Sequence, residues 1–588
     1  MLESASQRLL QGCGLPQAWR DKSAWRVLDT NFHQGLRFLD CWQTWRADAK
    51  RPRLLHYVAL CEHPPPVDAI LQAAALGSAS SELHALAQEL AQESHGLAAG
   101  FQRISLNEGR VLLTLCVGET QALLREQQFA ADCVVWDSPE LVSDSSRWTL
   151  KALARCCRRG TRLVTAQAQS PTQAAWLVKT GFKSTRNGPS NQWTYDPTWA
   201  LKTTRNPDLA RALQAPPPSD CVVIGAGLAG ASVAAALARR GWQVQVLDAA
   251  GAPAAGASGL PVGLMVPHVS ADDNPRSQLS RSGIRMSFQQ AKTLLASRHD
   301  WAMSGVLEHR EIGISTLWHS QAGWIKPAQL VQAWLAQPGI RFVPNAPVAT
   351  VRREAEVWVL KNAAGNVLAQ AKHVIFANAW GAQALLDDLR MAAPELAPNL
   401  ARLPALQGIR GVMSWGVQQP EQASALPTFP VNGLGSLICN IPMGNEIENA
   451  TAVMAWYAGA TYETGELIDA PVSAHHQTNL DKLRTLLPEA AQVLSPGFAS
   501  DKVQTWQGTR CVTPDRLPVV GPLDASASPR LWISAALGSR GLSYAVLCAE
   551  LLAAQMGGEP WPLPAALARH LSALRSNERA SLPTGQPG

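Results

Sequence analysis

The feature that most limits the folds open to this chain is a three-glycine turn between an apolar strand and an alanine-rich helix. Residues 221–250 read CVVIGAGLAGASVAAALARRGWQVQVLDAA, which predicts strand, tight turn, helix and second strand. In the loop Gly225-Ala226-Gly227, the first glycine makes the turn and the second lets a pyrophosphate approach the backbone. Gly230 lets the helix pack on the strand. Asp248 closes the second strand, QVQVLD, where an acid hydrogen-bonds the ribose of an adenosine. Motif and context together predict a dinucleotide-binding βαβ unit.

A chain of 588 residues exceeds what one core usually covers, and about 150 residues per domain predicts several structural units. The run Ala215-Pro216-Pro217-Pro218-Ser219-Asp220 marks a boundary, since consecutive prolines donate no backbone hydrogen bonds and hold an extended spacer. The reading is therefore a domain over 1–200, a Pro-rich linker over 201–219, a second domain over 220–575 and a disordered tail over 576–588. Before the linker, LLHYVAL (54–60), VLLTLCV (111–117), CVVWD (133–137) and RLVTAQ (162–167) read as buried strands. Helical patterns such as 81–94 lie between them, which predicts a parallel α/β sheet.

Charge excludes little. The 51 basic and 45 acidic residues leave +6, which permits a polyanionic partner without requiring one. Eleven cysteines, an odd number with no secretory signal, argue against disulfides. No zinc-ligand spacing occurs, so no metal is expected, and the adjacent His475 and His476 read as surface residues. No run of 18 apolar residues is present, so no membrane span is expected and a cytoplasmic location is.

The C-terminal half carries more signals. Gly256-Ala257-Ser258-Gly259 follows the acid, and the segment TRCVTPDRLPVVGP (509–522) comes later. Then Ala536-Leu537-Gly538-Ser539-Arg540-Gly541-Leu542 opens an apolar helix through Leu552. This order resembles the superfamily of D-amino-acid, glycine and sarcosine oxidases. The resemblance implies FAD, held by the fingerprint, by Ser258, and by Gly538 and Gly541 at the late helix start. It is narrower still to the oxidase half of the bifunctional tRNA wobble-uridine modification enzymes (MnmC), over about 220–574, with ALGSRGL as its most specific string. In that family the oxidase removes the carboxymethyl group from 5-carboxymethylaminomethyl uridine, leaving 5-aminomethyl uridine and glyoxylate. The resemblance places Arg510 at the substrate carboxylate, where its planar fork suits bidentate binding. It places Arg540 near the flavin ring or substrate. The alternatives are a salt bridge for Arg510 and an ordinary turn residue for Arg540.

The family's N-terminal half is an S-adenosylmethionine-dependent methyltransferase with a Rossmann-like fold. Gly35-Leu36-Arg37-Phe38-Leu39, Asn107-Glu108-Gly109-Arg110-Val111 and Gly118-Glu119 match it, with Glu62, Glu119 and Asp137 at strand ends where cofactor and substrate contacts fall; the alternative for Glu62 is an ordinary solvated acid. The family's G-F-G-T-G loop is replaced here by Asn31-Phe32-His33-Gln34-Gly35, and its G-F-A-P by residues beginning Ser138-Pro139-Glu140. Two lost glycines remove the room and positive-φ freedom that cofactor approach uses, and Asn tolerates positive φ better than His. The expectation is a retained methyltransferase-type fold that binds tRNA or packs on the oxidase, with S-adenosylmethionine held weakly or not at all.

The whole chain is thus read as α/β: a degenerate methyltransferase-like domain followed by an FAD-dependent, D-amino-acid-oxidase-like domain acting on tRNA. The alternative is a small-molecule oxidase of glycine, sarcosine or a D-amino acid, with a structural or RNA-binding N-terminal domain. Oligomeric state is not readable from the residues.

Overall fold

The computed structural model describes residues 5–77, 80–137, 144–167, 169–185, 191–200, 207–311, 315–444, 453–463, 470–500, 502–524 and 530–575. The stretches beginning Ser138-Pro139-Glu140 and Ser576 lie outside them.

The first half is built on strands β1 (Ala24–Asp29), β2 (Leu54–Cys61), β3 (Gly100–Leu106), β4 (Val111–Val117), β5 (Ala131–Trp136), β6 (Cys157–Thr165), β7 (Phe182–Ser184) and β8 (Gln192–Tyr195). They form one sheet in the order β3-β4-β2-β1-β5-β6-β8-β7. Runs such as LLHYVAL and VLLTLCV are buried throughout, as expected for strands covered by helices on both faces. The sheet is not wholly parallel, contrary to the sequence reading. Its centre is parallel, but β3 pairs antiparallel with β4, and β8 with both β6 and β7. The reason is the connection: only Asn107–Arg110 join β3 to β4, with Asn107, Glu108 and Gly109 at positive φ. That turn makes a hairpin, whereas a parallel pair needs a crossover of a dozen or more residues.

In the second half, β9 (Asp220–Ile224) and β10 (Gln243–Leu247) enclose the helix Leu228–Arg239. They belong to a six-stranded sheet whose order is Ile340–Val343, β10, β9, His373–Phe376, Leu531–Ala535, Val519–Pro522. All neighbours are parallel except the last pair. A separate seven-stranded sheet includes the antiparallel pair Gln407–Val417 and Gln504–Val512, with Ile409 opposite Arg510. The apolar helix predicted through Leu552 runs Gly541–Gly557 and stops at Gly558, which takes φ 59°. Glycine commonly ends a helix in this left-handed conformation.

The stretch read as a linker contains a helix, Pro207–Leu213. It lies against the end of the long helix, where a Cβ on Gly558 would overlap the Ala212 carbonyl. All eleven cysteines are free thiols, and no helix among the described residues is long and apolar enough to cross a membrane.

Buried charges join the halves. Glu550 and Glu559 face Arg239 and Arg240, at 2.7 Å from Arg239 Nη2 to Glu550 and 2.7 Å from Arg240 Nε to Glu559. From the first half, His56 Nε2 lies 3.4 Å from Glu559, and Arg103 donates to the Pro560 carbonyl at 2.6 Å. Burial alone would raise both carboxyls, but Arg240 and its neighbours outweigh it and hold Glu559 at about 2 and Glu550 well below the usual range. Such a network is a weak source of net stability but costly to leave half-paired.

Candidate active site

The C-terminal ends of four parallel strands converge on one crevice. Gly225 follows β9, Asp248 follows β10, Asn378 follows His373–Phe376, and Gly538 follows Leu531–Ala535. The chain leaves β9 toward β10 on one side, while His373–Phe376 lies on the other. This is a switch point, where open α/β sheets bind ligands. Gly225 takes φ 106°, and a Cβ there would stand 2.7 Å from the Ala377 carbonyl oxygen. A Cβ on Gly230 would overlap the Gly225 carbonyl, and one on Gly227 would reach Ser258 Oγ at 2.9 Å. A side chain at any of the three glycines would therefore meet a neighbour at close range.

Asp248 Oδ2 accepts from Ala226 N at 2.6 Å and Oδ1 from Ala250 N at 2.9 Å. A carboxylate has about four acceptor sites, so two remain for ribose hydroxyls. Ser258 Oγ accepts from Leu228 N at 2.9 Å, capping the fingerprint helix from 30 residues away. A Cβ on Gly541 would stand 3.1 Å from Leu228 Cδ1, so the late glycine-rich turn does reach the fingerprint. Asn378 was not anticipated; its buried Oδ1 has no hydrogen-bond partner among the described residues. Ala377-Asn378-Ala379-Trp380 follow an apolar strand, and that strand-then-polar pattern was the available signal. The spared glycines, the remaining acceptors of Asp248 and the orphaned Asn378 oxygen fit an adenine dinucleotide.

Arg510 projects from the same strand as Gly508, where a Cβ would lie 3.1 Å from Ala257 Cα in the Gly256–Gly259 loop. That contact fixes the arginine strand against the crevice. Its guanidinium carbon sits 4.9 Å from the centre of the Tyr462 ring, and a Cβ on Gly411 would overlap it. Nη1 is shut off from solvent without a hydrogen-bond partner, and no carboxylate pairs with Arg510 among the described residues. Burial lowers its affinity for its proton, with Tyr462 acting in the opposite direction. Lys482, also missed in the sequence, donates to the Ala460 carbonyl at 3.0 Å. Burial lowers its pKa, and the Arg510 charge adds to that effect.

Arg540 has a different setting. Its Nη1 donates to the Val266 carbonyl at 2.8 Å, in the turn Gly538–Arg540. A Cβ on Gly538 would stand 3.7 Å from Val512 Cγ1, two residues beyond Arg510. Half-buried His268 is nearby, its pKa lowered first by burial and then by the Arg540 charge.

His475 and His476 are not the surface pair expected from sequence. His475 is buried, with Nε2 2.9 Å from Glu463, and His476 bridges Ser414 at 2.7 Å and Thr505 at 3.0 Å. The helix Val472–Leu486 turns them inward against the seven-stranded sheet. Among the described residues, no group of three or more His, Cys, Asp or Glu could hold a metal ion.

The strand ends of the first half hold their own charges. Arg37 grips buried Asp29 through Nε and Nη2, both at 3.0 Å, and reaches Asp137 Oδ2 from Nη1 at 2.8 Å. It also bonds the Asn31 carbonyl, and Tyr57 donates to Asp29 at 2.7 Å. His33 rather than Asn31 takes the left-handed backbone, at φ 49°. Asp137 is held at about 2, first by the His33 hydrogen bond, with burial opposing and Arg37 assisting. Glu119 spends its carboxylate on the N–H groups of Gln121 and Ala122 at the start of helix Thr120–Arg125. Glu62 is exposed. The loop that would face S-adenosylmethionine thus carries an exposed His33 bound to Asp137 and is cross-linked by Arg37.

Comparison with known proteins adds independent findings. Residues 220–314 and 309–555 match the family described as FAD dependent oxidoreductase. The chain is 50% identical to the tRNA 5-methylaminomethyl-2-thiouridine biosynthesis bifunctional protein MnmC of Albidiferax ferrireducens, over 98% of this chain and 97% of that one. It is 43% identical to the protein of the same name from Polaromonas naphthalenivorans, over 96% and 92%. Among solved structures, glycine oxidase from Bacillus cereus aligns with TM-score 0.45 and 17% identity, over 58% of this chain and 95% of that one.

Proposed function

The chain belongs to the MnmC family of tRNA 5-methylaminomethyl-2-thiouridine biosynthesis proteins and carries its FAD-dependent oxidoreductase region, and on that premise we propose that it oxidises 5-carboxymethylaminomethyl uridine at the tRNA wobble position. The products are 5-aminomethyl uridine and glyoxylate. FAD supplies the hydride acceptor for the carbon beside the amine. Loss of that hydride and of the amine proton leaves an imine, which water splits.

The protein's part is to bind and orient. Gly225, Ala226, Gly227, Gly230, Asp248, Ser258, Gly538 and Gly541 line the dinucleotide's place. Arg510 holds the substrate carboxylate with Lys482 as a second cation, and Arg540 borders the reacting end. The observation that carries the reading is the Arg510 guanidinium, buried beside the crevice with no acidic partner among the described residues. A positioned carboxylate fixes the carbon that must give up hydride, and such positioning is a large part of catalysis.

The N-terminal half, residues 1–200, is proposed to keep the methyltransferase-type fold without methyl transfer. The loop tied through His33 and Arg37 to Asp137, where the family has glycines, supports that. Separate apolar cores within each half support the division at residues 201–219. A tRNA substrate implies action in the cytoplasm.

The test is an anaerobic mixing experiment using tRNA bearing carboxymethylaminomethyl uridine and, separately, glycine and sarcosine. Bleaching of the flavin by the tRNA supports the proposal. Bleaching by the small amino acids alone would transfer the protein to small-molecule oxidation.

A further inference from the structure

The charge of this chain is unevenly distributed. From Ser145 to Tyr195 there is no Asp or Glu, but there are nine basic residues: Arg147, Lys151, Arg155, Arg158, Arg159, Arg162, Lys179, Lys183 and Arg186. With those nine removed, the remaining chain has 42 basic residues against its 45 acids. The whole net positive charge therefore resides in one acid-free stretch.

The fold gathers this stretch at one edge. Its described residues form the helix Asp144–Arg155, strand β6, the helix Pro171–Lys179, strand β8 and the edge strand β7. Some of its cations are spent locally: Arg158 on Asp132, and Arg159 and Lys183 on Asp196. Lys151, Arg155 and Lys179 are exposed and make no ion pair among the described residues. Indoles stand among the cations. Arg147 lies 4.2 Å from the Trp176 ring centre and Lys179 lies 4.7 Å from it, while Lys151 lies 4.2 Å from the ring of Trp148. Trp148 is 54% exposed, a cost in water for so large an apolar group.

The exposed indole of Trp148 among cations suits a phosphate chain whose bases are unstacked, since bases stack on indole while phosphates take the charge. A lipid surface would favour an apolar helical face, and here the indoles are interleaved with lysines and arginines. We infer that the helices Asp144–Arg155 and Pro171–Lys179 form a docking surface for the looped, single-stranded part of the RNA substrate, apart from the flavin site. This rests on the tRNA reading above. It gives the methyltransferase-like half a binding role through residues distinct from the cross-linked loop at His33.

The test uses the full-length, FAD-loaded protein and compares Lys151→Glu/Lys179→Glu, Trp148→Ala and, as a charge reversal elsewhere, Lys372→Glu. Binding of fluorescent tRNA is measured across salt concentration, and anaerobic flavin reduction across tRNA concentration. For the double variant, half-saturation should rise on the order of tenfold or more, and the slope of log affinity against log salt should flatten by about 1.4 to 1.8. The limiting rate of bleaching and the FAD content should stay unchanged. Trp148→Ala should weaken tRNA but not a fully paired RNA duplex. Variants that bind tRNA like wild type, an equal loss in Lys372→Glu, or wild-type preference for phosphatidylglycerol vesicles over tRNA would each overturn the surface. If wild type binds tRNA through this edge but is never bleached by it, the surface stands and the proposed reaction falls.

Discussion

His33 Nε2 lies 2.8 Å from Asp137 Oδ2, and Arg37 Nη1 reaches the same oxygen at 2.8 Å. The turn after β1 and the end of β5 are thereby clasped by one carboxylate between an imidazole and a guanidinium. In the family pattern, glycine stands where His33 now stands, so the substitution that removes room for a cofactor also supplies half of the clasp.

Calorimetry with S-adenosylmethionine should therefore show no micromolar binding, and tRNA bearing aminomethyl uridine should gain no methyl group. Because Asp137 is depressed to about 2, the stability it contributes is complete above its ordinary value of 3.8 and lost as pH falls toward 2. His33→Ala should raise the Asp137 pKa, readable by carboxyl NMR, and an unmoved value would break the clasp interpretation.

Gly227→Leu should fold but lose flavin. The side chain would press on Ser258, whose hydroxyl caps the fingerprint helix, and would occupy the space kept for the pyrophosphate. The check is the absorbance ratio of purified protein, and full flavin occupancy in a folded variant would remove the dinucleotide assignment.

Arg510→Ala should keep FAD and lose turnover. A bidentate, charge-assisted pair is worth about 1.5 to 3 kcal/mol, or roughly tenfold to over a hundredfold, before any misplacement of the reacting carbon. Arg510→Lys should recover little, because a point charge does not reproduce the fork. Undiminished flavin reduction in Arg510→Ala would take that residue out of the site.

Lys482 should impose an alkaline limit on substrate binding. Its pKa is lowered by burial and by Arg510, so it sheds its proton below the 10.5 of a solvated lysine, and the half-saturating tRNA concentration should climb as pH rises through that point. In Lys482→Gln the same measurement should start higher and lose this limb. A limb that persists unchanged would assign the titration to another group.

Glu550→Ala should destabilise the protein by about 3–5 kcal/mol, since it leaves Arg239 and Arg240 buried with one carboxylate fewer. Acid should act on the same joint. Glu559 is depressed to about 2, so its contribution is present above 4.5 and fades as pH falls toward 2. Buried His56 is held neutral chiefly by desolvation, so the unfolded chain takes up its proton first and stability declines below about pH 6.5. Thermal unfolding followed from pH 7 to 2 checks both, with the His56 loss setting in below about 6.5 and the Glu559 loss below about 4.5.

The dinucleotide unit was legible in sequence because its requirements are local. Gly225, Gly227, Gly230 and Asp248 lie within one strand-turn-helix-strand segment, where Gly225 answers to a backbone angle and Gly230 and Asp248 to contacts inside the segment. The helix opening near Gly541 was legible for the same reason. Edge strands were less so, since the direction of β3 and β8 depends on what a short connection permits rather than on apolar runs. The linker helix Pro207–Leu213 was hidden by the neighbouring prolines, although its place is set by contact with a helix some 340 residues later.

What only the tertiary structure decided was which charges meet. Arg510 could be a salt bridge or a ligand for a carboxylate in any one-dimensional reading, and among the described residues the fold sets it beside Tyr462 and Lys482 with no acid paired to it. Glu119 read as a cofactor contact and became a helix cap, while His475 read as surface and was buried against Glu463. Sequence determines backbone geometry wherever that geometry is local. The state of a charged side chain depends on long-range neighbours and on the water they exclude, and those exist only once the chain has folded.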